Sequence, residues 1–199
     1  MAKELLREYY ELCDGGICQD LLTEAEKKMV SDGAMILTGI CQKAHTPNGN
    51  NRIYSKEILQ REVERYQSMI DQNRALGELD HPDNSVVSLE KVSHIVISLW
   101  MEGNEVYGKI KVLDTPAGNI LRALVEGGCS IGISSRGLGS VSERNGQTIV
   151  EDDFQLICFD MVSEASTPGA YMVKENKKSL HESKEDKRDR LFREILAKL

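Results

Sequence analysis

The stretch over residues 92–113 constrains the fold most. Val92-Ser93-His94-Ile95-Val96-Ile97-Ser98-Leu99-Trp100-Met101 and a second run over 105–113 are rich in β-branched and aromatic side chains, and they flank Glu102-Gly103-Asn104. In the second run Val106, Gly108, Ile110 and Val112 alternate with Tyr107, Lys109 and Lys111. A period of two turns one set to a core and the other to water, and a short glycine-bearing connection makes the two runs an antiparallel hairpin.

Helical signals sit on either side. Ser55 is an N-cap for a helix over 56–71 whose apolar face carries Ile58, Leu59, Val63, Tyr66 and Ile70. Thr115-Pro116 opens another helix and Gly127-Gly128 closes it. Strands are predicted over 34–40, 130–134, 147–150 and 154–162, with a loop at Thr46-Pro47-Asn48-Gly49-Asn50-Asn51 and a stop at Thr167-Pro168-Gly169. The reading is a mixed α+β domain over residues 34–173. Residues 1–33 read as a separate helical segment, and 174–199 as a charged tail ending in a stripe of Leu191, Phe192, Ile195, Leu196 and Leu199.

Composition excludes several function classes. The 199 residues fit one medium domain, and 25 Lys and Arg against 32 Asp and Glu give a net charge of −7, which argues against a general nucleic-acid binder. The longest apolar run, 95–101, is too short to cross a bilayer, and Met1-Ala2-Lys3-Glu4 opens no signal-peptide core. The expectation is a cytosolic chain without a membrane. Cys13, Cys18, Cys41, Cys129 and Cys158 are odd in number and form no Cys-x-x-Cys pair, so they read as free thiols, with Cys129 and Cys158 as small core residues. No His-Glu-x-x-His spacing occurs. A metal-dependent hydrolase built on His81, Asp83 and His94 therefore ranks low, and no metal or cofactor is expected.

The chemistry concentrates in two segments. In Gly132-Ile133-Ser134-Ser135-Arg136-Gly137-Leu138-Gly139-Ser140 a serine pair follows a short strand and opens into a glycine-rich loop, which could expose a hydroxyl and gather backbone N–H groups. In Gly77-Glu78-Leu79-Asp80-His81-Pro82 a histidine sits at a constrained turn. Asp160 lies inside the apolar run 156–162, where a carboxylate needs a partner unless it faces solvent on an edge strand. Together they would give a triad in the order His, Ser, acid, unlike the familiar hydrolase orders. Arg136 also stands where a Gly-x-Ser-x-Gly elbow has its second glycine. The bland alternatives are a surface turn around Ser134 and an exposed histidine.

These two segments, with Asn51-Arg52-Ile53-Tyr54 and Asn104-Glu105-Val106-Tyr107-Gly108, resemble the prohead core protein proteases of T-even-type tailed phages over residues 35–172. The resemblance implies an antiparallel β-barrel ringed by helices, similar to the herpesvirus assemblins. It also implies a serine endopeptidase that works inside the viral prohead in the host cytoplasm. There it would degrade the capsid scaffold, trim capsid proteins, cut itself and self-associate. It gives His81 as base, Ser134 as nucleophile and Asp160 as orienting acid, with Glu164 as the rival, and an oxyanion site at Ser135, Arg136 and Gly137. For Arg136 a surface salt bridge is the equal alternative.

The resemblance further implies cleavage after glutamate with an aliphatic residue two positions earlier. Leu22-Thr23-Glu24, Leu124-Val125-Glu126, Ile149-Val150-Glu151 and Leu180-His181-Glu182 fit that rule. Glu24 and Glu182, in the flanking segments, are the self-cleavage candidates. A basic pocket for the glutamate is expected. The competing reading is a non-enzymatic scaffold or capsid-associated protein of the same fold.

Overall fold

The computed structural model describes residues 22–82, 85–144 and 146–175. The hairpin stands where the sequence places it: β4 (Val92–Glu102) and β5 (Glu105–Val112) pair antiparallel around Gly103, whose φ of +61° is easy only for glycine. Val106, Ile110 and Val112 are buried, as the alternation requires. Lys109 departs from it. It is 5% exposed rather than in water, because its Nζ meets Glu26 Oε2 at 2.9 Å.

β1 (Ile36–Lys43), β3 (Leu76–Glu78) and β10 (Val173–Glu175) extend the hairpin into a five-stranded sheet in the order β10-β1-β5-β4-β3. β6 (Gly132–Leu138) and β9 (Gln155–Val162) form a two-stranded antiparallel ribbon. β2 (Arg52–Ile53), β8 (Gln147–Val150) and β7 (Val141–Arg144) form a third sheet in that order. The ribbon meets both edges of the large sheet through the isolated bridges Leu79↔Met161 and Gly132↔Tyr171. The closed barrel that the resemblance implied is not found among the described strands. Both edge strands of the large sheet, β3 and β10, are three residues long, too short to carry a ladder across the joints.

Three helices lie among the described residues. In α2 (Lys56–Asp71) Ser55 accepts from the Ile58 N–H, and Ile58, Leu59, Val63 and Tyr66 pack toward the sheets. Each of these apolar side chains contributes about 1.5–3 kcal/mol by leaving water. Glu62 is buried on the same helix and accepts from the Leu156 N–H at 2.8 Å, which ties α2 to β9. α3 (Pro116–Glu126) starts on Thr115, whose Oγ1 accepts from the Gly118 N–H and donates to Val92 O. α1 (Glu24–Ser31) begins with a capping box of Thr23 and Glu26 and is held to β5 by the Glu26–Lys109 pair. The part of the N-terminal segment that is described thus packs on the domain from Leu22 onward. Residues 1–21 and the tail from 176 lie outside the described residues.

Candidate active site

β6 does not end at Ser134. It runs through to Leu138, so Ser134 sits within a strand and not at the mouth of a loop. The glycines answer to packing, not to turning. A Cβ on Gly137 would meet the Phe154 ring at 2.5 Å, and one on Gly132 would meet Ala165 at 2.9 Å. The irregularity that remains is a bulge between Arg136 and Gly137.

The β6–β9 register sets Ser134 opposite Asp160 and Arg136 opposite Cys158. Opposed residues share a face of the sheet, and so do residues two apart on one strand, which gathers these four side chains. Asp160 has no exposed surface, which removes the solvent-facing edge reading. A buried carboxylate requires compensation, and several groups supply it. The Glu78 N–H donates to Oδ1 at 3.1 Å and Arg136 Nη2 donates to Oδ1 at 3.0 Å. Arg136 Nε lies 2.9 Å from Oδ2, and the Cys158 thiol donates to Oδ1 at 3.5 Å. His81 Nδ1 meets the same Oδ2 at 2.8 Å. With the carboxylate accepting at Nδ1, a neutral imidazole keeps its lone pair on Nε2.

A strained turn brings His81 there. Asp80 has φ +66°, a left-handed conformation that Asp tolerates better than most residues, and its N–H donates to Met161 O at 2.8 Å. The His81 side chain is 43% exposed and lines a cleft of about 490 Å³ together with Ser134. Ser134 Oγ lies 3.0 Å from Ser166 Oγ and is not hydrogen bonded to His81 in this state. Glu164 lines the same cleft. Its walls include Tyr54 and Phe154, which pack edge-on with centroids 5.1 Å apart, and Arg52. The loop before Arg52 folds on Asn48, whose Oδ1 accepts from the Asn50 and Arg52 N–H groups, and the Gly49 N–H donates to Ser166 O.

The three oxyanion candidates separate. The Arg136 guanidinium is turned inward, onto Glu78 and Asp160, and is buried rather than on the surface, although the residue also lines the cleft. Burial alone would lower its pKa, but Cys158, Glu78 and Asp160 outweigh that and hold it above its ordinary value. Ser135 and Gly137 stay on the cleft wall. The Ile133 N–H donates to Ala170 O, away from β9, and the strand period turns the Ser135 N–H to that same side.

Two residues escaped the sequence reading as site members. Ser166 follows β9 in the polar stretch Ser163-Glu164-Ala165-Ser166, and that polarity directly after an apolar strand is the signal that could have found it. Glu78 is fully buried, and its Oε1 accepts from Arg136 Nη2 at 3.0 Å and from the Ser88 N–H at 2.8 Å. Its neighbour Gly77 has no room for a side chain, since a Cβ would lie 2.1 Å from Phe159 O and 2.3 Å from His94 Nε2.

His94 is a core residue. Its Nε2 donates to Phe159 O at 3.0 Å, so Nδ1 accepts from the Ser93 hydroxyl at 2.8 Å, and burial lowers its pKa to about 4. Both ring nitrogens are thus occupied, and Asp83, the other member of the metal reading, lies outside the described residues. Cys158 is buried as expected, its thiol pushed up to about 12 by burial and Asp160, whereas Cys129 is exposed where a core position was expected. It follows the Gly127-Gly128 helix stop, outside the apolar face.

Residues 9–185 match the family of the prohead core protein serine protease. The chain belongs to this family. It is 36% identical over 144 residues to the prohead core protein protease of Enterobacteria phage T4, covering 70% of this chain and 68% of the relative. The structure of the bacteriophage T4 capsid assembly protease superimposes with a TM-score of 0.62 at 34% identity, over 64% of this chain and 80% of that one. This prohead protease is therefore a member of a peptidase family of phage capsid assembly and maturation. No helix among its described residues is long and apolar enough to cross a membrane.

Proposed function

We propose that this prohead protease is a serine endopeptidase with Ser134 as nucleophile, His81 as general base and Asp160 as the residue that orients and charges the imidazole. The observation that carries the reading is the 2.8 Å contact of buried Asp160 with Nδ1 of a histidine that shares its cleft with Ser134. Ser134 Oγ gives its proton to His81 Nε2 as the Oγ–carbon bond forms. His81 returns the proton to the leaving amine as the C–N bond breaks, and water then hydrolyses the acyl-enzyme. Either hydroxyl of the Ser134–Ser166 pair can donate to the other; with Ser166 as donor the Ser134 proton is free to turn toward His81. The N–H groups of Ser135 and Gly137 are the oxyanion donors, without the Arg136 side chain. Glu164 is set aside as the acid because Asp160 already holds Nδ1.

The substrates would be the capsid scaffold and capsid proteins inside the prohead, within the host cell. Arg52 supports cleavage after glutamate: it is exposed, lines the cleft and pairs with no carboxylate among the described residues. Leu138, Val141, Val150 and Phe154 on the same cleft suit an aliphatic side chain nearby. Self-cleavage after Glu24 and Glu182 belongs to the same proposal. Glu24 is the exposed first residue of α1, so a cut there removes the Thr23 cap; Glu182 lies outside the described residues.

A fluorophosphonate probe, which reacts with activated serines, tests the reading. Peptide mapping should find the label on Ser134. A wild-type chain that takes up no label, or labelling that persists in Ser134→Ala, would overturn it.

A further inference from the structure

Arg136 lies between two fully buried carboxylates and is itself 7% exposed in its side chain. Its Nη2 reaches Glu78 Oε1 and Asp160 Oδ1, each at 3.0 Å, and its Nε lies 2.9 Å from Asp160 Oδ2. Oδ2 is the oxygen that meets His81. Glu78 holds the other side: its N–H donates to Asp160 Oδ1, and its Oε1 accepts from the Ser88 N–H in the loop that follows His81. One guanidinium thus joins the strand of Ser134, two residues away, to the strand of Asp160 and to the histidine loop.

The charges have a direct consequence. Two carboxylates and one guanidinium leave one net negative charge beneath His81, and a proton taken from Ser134 brings the group to neutrality. Without Arg136, two buried carboxylates would stand side by side with no counter-charge between them. We infer that Arg136 and Glu78 are positioning residues of the reaction, fixing the aim and the charge of Asp160 toward His81. The inference rests on the serine-peptidase reading above.

Among the described residues, the titratable and charged groups around His81 are Asp160 and Cys158 on β9, Arg136 on β6, Glu78 on β3, Asp80 beside it in the chain, and Glu164 and Arg52 in the same cleft. Of the groups in the network, Glu78 is the one whose charge can be removed while the His81–Asp160 contact is left in place. The rate of fluorophosphonate labelling of the full chain, followed against pH, reports the fraction of His81 free to act as base.

Glu78→Gln removes a negative charge, so the imidazolium is less favoured and the acid limb should move down by about half a pH unit. Arg136→Gln should label at least about tenfold more slowly than Arg136→Lys at equal folded fraction, because lysine restores the charge though not the fork. A Glu78→Gln limb that stays in place, or Arg136→Gln and Arg136→Lys at equal rates, overturns the inference. Should Glu78→Gln not fold by circular dichroism, the two Arg136 variants decide. Ser134→Ala separates the two levels: label persisting there sinks the serine reading itself. A silent Ser134→Ala beside wild-type behaviour of the Glu78 and Arg136 variants sinks only this inference.

Discussion

Ser134 on β6 stands opposite Asp160 on β9, and the same Asp160 meets His81 Nδ1 at 2.8 Å. An antiparallel register therefore sets the distance between the proposed nucleophile and its acid, and only the histidine arrives on a loop. Strands are stiffer supports than loops, which suits chemistry that is sensitive to ångström shifts.

Asp160→Asn should lower turnover by on the order of 10⁴-fold, because an amide donating toward Nδ1 imposes the wrong tautomer on His81. Glu164→Gln should cost far less, since Glu164 lines the cleft while Asp160 holds the ring. Rates of peptide cleavage by both variants check this. A larger loss with Glu164→Gln would hand it the role of acid.

Ser166→Ala should slow turnover by about tenfold with little change in KM, because the hydroxyl 3.0 Å from Ser134 Oγ fixes its rotamer and donates to it during attack. Steady-state kinetics on a quenched peptide decide. An unchanged kcat would reduce Ser166 to a bystander.

Arg52→Gln should raise KM for a substrate with glutamate before the cut by about tenfold or more, the loss of one charge-assisted contact. A matched glutamine substrate should be affected little. Equal loss on both would mean that Arg52 supports the cleft and does not read the glutamate.

Gly77→Ala should destabilise the chain by on the order of 3 kcal/mol, since the new methyl must displace Phe159 O and the His94 ring. Urea unfolding measures it. This glycine also explains part of the motif around His81, as β3 can pass the buried imidazole only without a side chain.

Stability should fall with acid in two stages. His94 is neutral in the core with its pKa lowered from 6.5 to about 4, so below pH 6.5 the unfolded chain binds the extra proton. Stability is whole above 6.5 and declines to about 4, a loss of about 3 kcal/mol at 1.4 kcal/mol per unit. Glu26 adds a second loss. Burial works to raise its pKa, yet Lys109 and Thr23 hold it below its ordinary 4.5, so its contribution is present above 4.5 and fades as pH falls through the lowered value. Urea midpoints against pH should slope between 6.5 and 4 in the wild type and flatten in His94→Gln.

Much of the fold was legible because local rules agreed with the tertiary packing. The β4–β5 alternation, the Ser55 cap with its apolar face and the Thr115-Pro116 start each name an element that the structure contains. The errors share a cause. Gly137 suggested a loop, but it yields to Phe154, a neighbour distant in sequence. Lys109 sat on the polar side of a strand pattern, and only Glu26 on a separate helix makes its burial tolerable. The closed barrel failed at short edge strands whose length local composition does not set. At the site His81, Ser134 and Asp160 were named from their motifs. Glu78 and Ser166 went unassigned because each matters through a contact, with Arg136 and with Ser134, between segments far apart in sequence that only the tertiary fold brings together.

The central claim is that this prohead protease cuts peptide bonds with Ser134. Intact mass spectrometry of the wild type and of Ser134→Ala, after equal incubation, tests it most directly. The wild type should shorten at glutamate-terminated sites, Glu24 and Glu182 first, while Ser134→Ala stays at full length. Equal shortening of both chains would contradict the account.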